Sequence, residues 1–253
     1  VPDFLQVVQA CRRLDDLPTA VNEAVELLGG WDGAFDADSA PALFAGYLWQ
    51  TLVDQLYNDE LGDVAPAEPT MNELYATTLL LDQPQHPWWD DVRTDETLET
   101  RDEILRASLV AAYERVVEEH GSDPAAWAWG AAHVSNFTNP VLGESGVGLI
   151  ERIANRHGYP TAGAAATVNI ARWDGDSGSF ANRHIPAYRR VVDFGNLAGS
   201  IAANSTGQSA HPFSPHYDDQ IAAWIAGDYF RILWTRDAVE AEGVHRLTLV
   251  PAD

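Results

Sequence analysis

The stretch Thr206-Gly207-Gln208-Ser209-Ala210-His211-Pro212-Phe213-Ser214-Pro215-His216-Tyr217-Asp218-Asp219-Gln220 restricts the chain more than any other. Each proline fixes its own φ near ~−65° and turns the residue before it away from the α region. Pro212 and Pro215, with Gly207 ahead of them, predict an ordered, turn-rich loop over 207–215 rather than a flexible linker. From His216 to Gly227 polar and apolar residues then alternate at helical spacing, with Ile221, Trp224 and Ile225 on one side. Asp218 and Asp219 fall in the first turn of that predicted helix, where negative charge suits the positive end of the dipole.

Upstream of this loop the chain changes texture once. Helical periodicity runs over 4–13, 18–28, Ala40 to Tyr57 and Met71 to Leu81, and again over about 98–119, with Thr97 as the expected cap. Residues 62–70 and 82–97 are proline-rich and irregular. From Trp127 glycine and β-branched residues rise, and short strands are expected at 129–138, 164–173, 187–194, 199–204 and 244–250. The pattern is α+β: a mainly helical part over 1–125 and a strand-and-loop part over 126–253.

Composition removes several classes of function. The 253 residues carry a formal net charge of −23, and all fifteen basic residues are arginine. A nucleic-acid partner needs a basic face, so it is excluded, and an anionic membrane surface is disfavoured. The acidic excess without lysine fits a salt-adapted protein or a GC-rich codon bias equally well. Cys11 is the single cysteine, so no disulfide forms within the chain, and its apolar-periodic setting marks it as a small buried hydrophobe. No apolar run approaches the ~18 residues of a membrane span, and Val1-Pro2-Asp3 does not open a signal peptide.

Short motifs that imitate catalytic sites fail on context. Gly175-Asp176-Ser177-Gly178 and Ala131-Ala132-His133 resemble the segments around a serine-protease nucleophile and histidine, but that fold needs two β-barrels and a far wider separation. A turn after a strand over Thr167–Trp173 accounts for Gly175 and Gly178. Ser209 and Ser214 lack the G-x-S-x-G elbow. His211, His216, Asp218 and Asp219 are better explained by capping and loop hydrogen bonds than by a metal. Asp32, Asp36 and Asp38 alternate as calcium ligands do, without the bidentate glutamate an EF-hand requires. Asn136-Phe137-Thr138 and Asn204-Ser205-Thr206 are glycosylation sequons by pattern alone.

The opening loop also carries a family resemblance. Gln208, Ser209, Pro212, Ser214, Pro215, His216, Tyr217, Asp219 and Gln220, followed by Trp224, Gly227 and Tyr229, are similar to the C-terminal signature of the penicillin acylase (penicillin amidase) family. Gly30-Trp31-Asp32-Gly33, Trp89-Asp90-Asp91, Trp127-Ala128-Trp129-Gly130-Ala131-Ala132-His133, Thr167-Val168-Asn169 and Tyr188 to Gly195 continue the resemblance in family order.

That resemblance implies an N-terminal-nucleophile (Ntn) hydrolase with an αββα sandwich. There a serine exposed by autoprocessing attacks an amide carbonyl, and its own α-amine, with a reference pKa near ~7.7–8.0, is the base. The family's serine, its oxyanion asparagine and its calcium-binding acids lie upstream of the matched segment, so no catalytic or metal-binding residue and no cofactor is assigned here. The resemblance casts the chain as the C-terminal part of the large (β) subunit. Its expected partners are the α chain and the N-terminal part of the β chain, and the substrate is a small acylated amide. A β-lactam side chain, an acyl-homoserine lactone and an acylated peptide remain open, as does a non-catalytic binding or structural module. A periplasmic or extracellular location is implied by the family alone. Val168, Ile170, Val191, Phe194 and Ile201 are the apolar positions expected nearest the seam with the upstream strands.

Overall fold

The computed structural model describes residues 2–64, 71–94, 97–173 and 178–250. It divides into two compact units, Val1–Ile185 and Pro186–Asp253. The change of texture at Trp127 lies inside the first.

The first unit is built on one buried helix. It contains α1 (Pro2–Cys11), α2 (Thr19–Leu27), α3 (Ala40–Leu61), α4 (Met71–Leu81) and α5 (Arg101–His120). Ser39 caps α3 by accepting the Ala42 N–H at 3.2 Å, Pro41 suits its first turn, and Gly62 with φ 49° ends it. Between Ala42 and Val53 every residue of α3 is buried. A helix apolar all round must be covered on all sides, and α5 supplies one cover. There Thr51 donates to the Ser108 carbonyl at 3.0 Å, and the Ser108 hydroxyl to Gln55 Oε1 at 2.8 Å.

The start of α5 lies at Arg101 rather than 98. Thr97 donates instead to Glu99 Oε1 at 3.0 Å, while Thr100 and Glu103 form the reciprocal capping box. Cys11 is buried as expected, and burial pushes its thiol up to about 12.

After α5 come α6 (Trp129–Ala132), β1 (Val134–Phe137), α7 (Gly148–Ala154), β2 (Arg156–Pro160), β3 (Arg172–Trp173) and β4 (Asn182–His184). The strands form one sheet in the order β2-β1-β4-β3, antiparallel except for the β1/β4 pair. The strand expected at 129–138 is therefore half helix. Its first two N–H groups donate to the Ser39 and Ala37 carbonyls at 3.1 and 2.7 Å, which removes them from any ladder. The expected strand over 164–173 shrinks to Arg172–Trp173 because Thr167 and Asn169 fold the preceding stretch into a loop. Thr167 Oγ1 accepts the Ala164 N–H, and Asn169 Nδ2 donates to the Ala162 carbonyl. The turn expected at Gly175 lies outside the described residues.

The second unit contains β5 (Tyr188–Val191), β6 (Ile201–Asn204), α8 (Ile221–Ala226), β7 (Phe230–Arg231) and α9 (Arg236–Glu242). Its sheet runs β5-β6-β7, wholly antiparallel, with Tyr188 opposite Asn204 and Ile201 opposite both Val191 and Arg231. Nothing pairs as a strand over 244–250, where Val244, Leu247 and Leu249 are exposed.

Candidate functional site

The loop from Thr206 to Gln220 is held like a hairpin end. Gly207 N–H donates to the Tyr217 carbonyl and Ser209 N–H to the His216 carbonyl, each at 2.9 Å. At Gly207 a Cβ would overlap the His216 carbonyl, so the close approach of the two arms demands glycine. Between the arms, Ser214 N–H donates to the His211 carbonyl at 2.9 Å and Tyr217 N–H to the Ser214 carbonyl at 3.2 Å. The order expected of the two prolines is thus realised as consecutive turns.

The side chains of the loop serve its backbone. Ser209 Oγ accepts the His211 N–H, Ser214 Oγ the His216 N–H and His211 Nδ1 the Phe213 N–H, all at 3.2 Å. His216 Nδ1 faces Asp219 Oδ2 at 2.8 Å. The helix that follows begins only at Ile221, whose N–H reaches the Asp218 carbonyl. Asp218 and Asp219 therefore precede it rather than occupying its first turn. Asp219 instead holds the imidazole.

Gln208, Ser209, His216, Asp219 and Gln220 line one open depression, into which the loop brings a serine, a histidine and a carboxylate. Nucleophilic catalysis requires a hydroxyl hydrogen-bonded to a base, and a base oriented by a third group. The His216–Asp219 contact supplies the second relation. The first is missing, because among the described residues neither Ser209 nor Ser214 bonds a histidine side chain. Among the described residues the arrangement therefore lacks the hydroxyl-to-base contact that would activate Ser209 or Ser214.

His133 is also removed from catalysis. It is buried, stacked on Trp129 at 4.5 Å between centroids, with Nδ1 at 2.8 Å from the Thr161 carbonyl and Nε2 at 3.3 Å from that of Ala171. Burial pushes its pKa down against the opposing pull of those carbonyls, so it stays neutral at neutral pH. Asp32 accepts the Ala34 N–H at 2.8 Å and shapes a turn. Among the described residues no group of three or more His, Cys, Asp or Glu is placed to hold a metal.

Two polar clusters left no sequence signal. Tyr47 on α3 donates to Glu119 Oε2 at 2.5 Å and meets His120 Nε2 at 3.0 Å, tying the central helix to the end of α5. Burial, reinforced by Glu119, drives the Tyr47 hydroxyl far above its ordinary range, so it donates and does not ionise. In the first sheet, Thr161 and Asn182 both donate to the buried Ser135 hydroxyl, at 2.8 and 3.0 Å. Each cluster joins residues dozens of positions apart, which no local pattern encodes.

The seam residues are open to solvent to differing degrees. Val168 is fully exposed in the first unit; Phe194 is 91% and Val191 51% exposed in the second, while Ile170 and Ile201 are half-buried.

Comparison with known proteins gives this geometry its family. The penicillin amidase family model matches residues 2–241. The acyl-homoserine lactone acylase QuiP of Pseudomonas aeruginosa is 35% identical over 260 residues, covering 94% of this chain and 30% of that protein. The enzyme of the same name from Pseudomonas syringae pv. tomato is 34% identical over 252 residues, with the same coverage of both. Penicillin acylase 2 proenzyme from a Pseudomonas species is 32% identical over 136 residues, 49% of this chain and 16% of that one. A solved thermostable penicillin G acylase from Alcaligenes faecalis aligns with 100% of this chain and 45% of its own at 15% identity, with a TM-score of 0.48. The chain thus spans 30% of the length of the acyl-homoserine lactone acylases it matches. It belongs to the penicillin amidase family.

Proposed function

We propose that this chain is the C-terminal part of the large subunit of an acyl-amide hydrolase whose serine nucleophile lies upstream of Val1. That serine's hydroxyl attacks the amide carbonyl carbon while its α-amine takes the proton. A tetrahedral oxyanion forms, held by backbone N–H groups and an asparagine of the upstream part. The C–N bond breaks, the amine leaves carrying the proton, and water hydrolyses the acyl ester. The residues described here shape and cover the catalytic part rather than react.

One observation carries the reading. The match to the penicillin amidase family runs from residue 2 to residue 241, while the hydroxyls of Ser209 and Ser214 in the signature loop accept backbone N–H groups. N-acyl-homoserine lactones are the favoured substrate class, because the relatives that match 94% of this chain bear that name. The strands of this chain add to an αββα sandwich whose other strands are upstream, and the upstream part covers the exposed apolar residues of Pro186–Asp253.

The test compares the purified chain, the parent protein with its upstream part, and the parent with the nucleophilic serine changed to alanine. Release of fatty acid from an acyl-homoserine lactone is expected from the parent alone. Hydrolysis by the isolated chain, or by the alanine variant, would overturn the reading, and an inactive parent would favour a non-catalytic module.

A further inference from the structure

The reading above calls for upstream strands, and one edge of the sheet in Pro186–Asp253 is shaped to receive one. Among the described residues β5 pairs with β6 alone, so its other side is open. Two hydrogen bonds beyond the strand ends fix which way its backbone groups point. Ser205 N–H donates to the Ala187 carbonyl and Ile232 N–H to the Ser200 carbonyl, each at 2.9 Å. Along an antiparallel ladder such bonded pairs recur at every second residue. Ile201 and Ala203 therefore turn their backbone groups toward Val191 and Arg189, while Ala202 turns its own toward β7. The N–H and C=O of Tyr188 and Arg190 are left pointing outward.

That edge has neither the proline nor the bulge that commonly blunts one. The β5/β6 register runs unbroken from Tyr188 to Val191, whereas β1/β2 and β3/β4 both shift. The opposite edge, β7, offers only Phe230 and Arg231. Charge then selects the occupant. The three strands carry Arg189, Arg190 and Arg231 and no carboxylate, in a chain whose net charge is −23. Arg231 is met by Glu242 at 3.5 Å. Arg190 is exposed, lies 5.5 Å from the Trp234 ring centroid and meets no carboxylate among the described residues. A second copy pairing two-fold along β5 sets Arg189 or Arg190 opposite itself, and like charges directly opposite oppose pairing.

Resting on that reading, we propose that an extended segment of the upstream part adds to β5 as a further strand, bonded to the N–H and C=O of Tyr188 and Arg190. Its side chains follow from the alternation along β5. It sets a carboxylate beside Arg190 on one face and an apolar residue beside the exposed Val191 on the other.

Residue-resolved amide exchange of the whole chain, free and bound to the upstream part, is the test. In the free chain the N–H groups of Arg189 and Val191 should exchange slowly and those of Tyr188 and Arg190 fast. On binding all four should become slow. Arg190→Gln removes the charge, keeps the N–H and should weaken the complex about fivefold. Arg190→Pro also removes the outward N–H, costs no bond to β6 and should weaken the complex well beyond Arg190→Gln. If the proline variant fails to fold, the exchange pattern of the unaltered chain still decides. A complex in which Tyr188 and Arg190 exchange as fast as in the free chain overturns the added strand and leaves the acylase reading in place. So does an Arg190→Pro variant that binds as well as Arg190→Gln. The absence of any complex overturns both. Concentration-dependent protection of the same two amides in the isolated chain gives the edge to a second copy and overturns the choice of occupant.

Discussion

Val1–Ile185 and Pro186–Asp253 spend their apolar residues differently. Every member of the main buried cluster, from Phe4 to Phe180, belongs to the first unit. Trp129 lies at its centre, with Phe35, His133, Trp173 and Phe180 around it at centroid distances of 4.5–5.7 Å. In the second unit the buried hydrophobics are Ala202, Ala203, Ile221 and Trp224, while Tyr188, Val191, Phe194, Phe213 and Trp234 are exposed. A sheet of three short strands with so little beneath it is marginal by itself. The difference teaches that the first unit holds its own core while the second buries little by itself, and the proposed function assigns the missing cover to the upstream part of the parent.

The widest gap should appear on truncating the two central tryptophans. Trp129→Ala removes a fully buried indole and its 2.8 Å bond to the Gly163 carbonyl. It should destabilise the first unit by about 3–5 kcal/mol, read from chemical denaturation. Trp224→Ala removes the residue beneath the Arg189 guanidinium, 3.9 Å from the ring centroid, and its bond to the Pro186 carbonyl. Hydrogen exchange should then rise through 186–234 while the denaturation midpoint of the first unit stays put. A midpoint that falls as far as in Trp129→Ala would break the distinction between the units.

Smaller changes sharpen it. Pro212→Gly and Pro215→Gly should each cost roughly 0.4–1 kcal/mol by enlarging the unfolded ensemble. The loss should appear as faster exchange over 206–217, with no change in the first unit. Glu60, on α3, gives the subtlest effect. Burial, together with the neighbouring Asp59 carboxylate, pushes its carboxyl up to about 7. The folded chain then holds a proton that the unfolded chain has released, so stability falls as pH rises from the ordinary carboxylate range through 7. Glu60→Gln should therefore raise the melting temperature at pH 8 and leave it nearly unchanged at pH 4.5. An equal gain at both would show that charge is not the cause.

Legibility in the sequence followed the range of the interactions. The helices of the first unit could be read because apolar spacing and caps act within a few residues; even the misplaced start of α5 was a contest between Thr97 and Thr100. Strands could be read only where pairing partners are near in sequence, as for Tyr188–Val191 with Ile201–Asn204. Residues 129–132 read as strand together with the β-prone stretch that follows them, yet the Ser39 and Ala37 carbonyls, some ninety residues away, take the N–H groups of Trp129 and Gly130. The signature loop was legible as an ordered turn from its prolines. That His216 would meet Asp219, and that among the described residues neither Ser209 nor Ser214 would bond a histidine side chain, depended on three-dimensional closure. That Trp173 pairs with Asn182 across the sheet depends on strand register, which the sequences of β3 and β4 do not declare.

Hydrogen–deuterium exchange of the chain, alone and bound to the upstream part of its parent, tests the central claim most directly. The account predicts that binding slows exchange strongly across β5, β6 and β7 and the segment around Phe194, with the α3 and α5 core unchanged because it is already complete. Protection of Pro186–Asp253 that is as high in the isolated chain as in the complex would contradict it, and would make the second unit a self-sufficient domain.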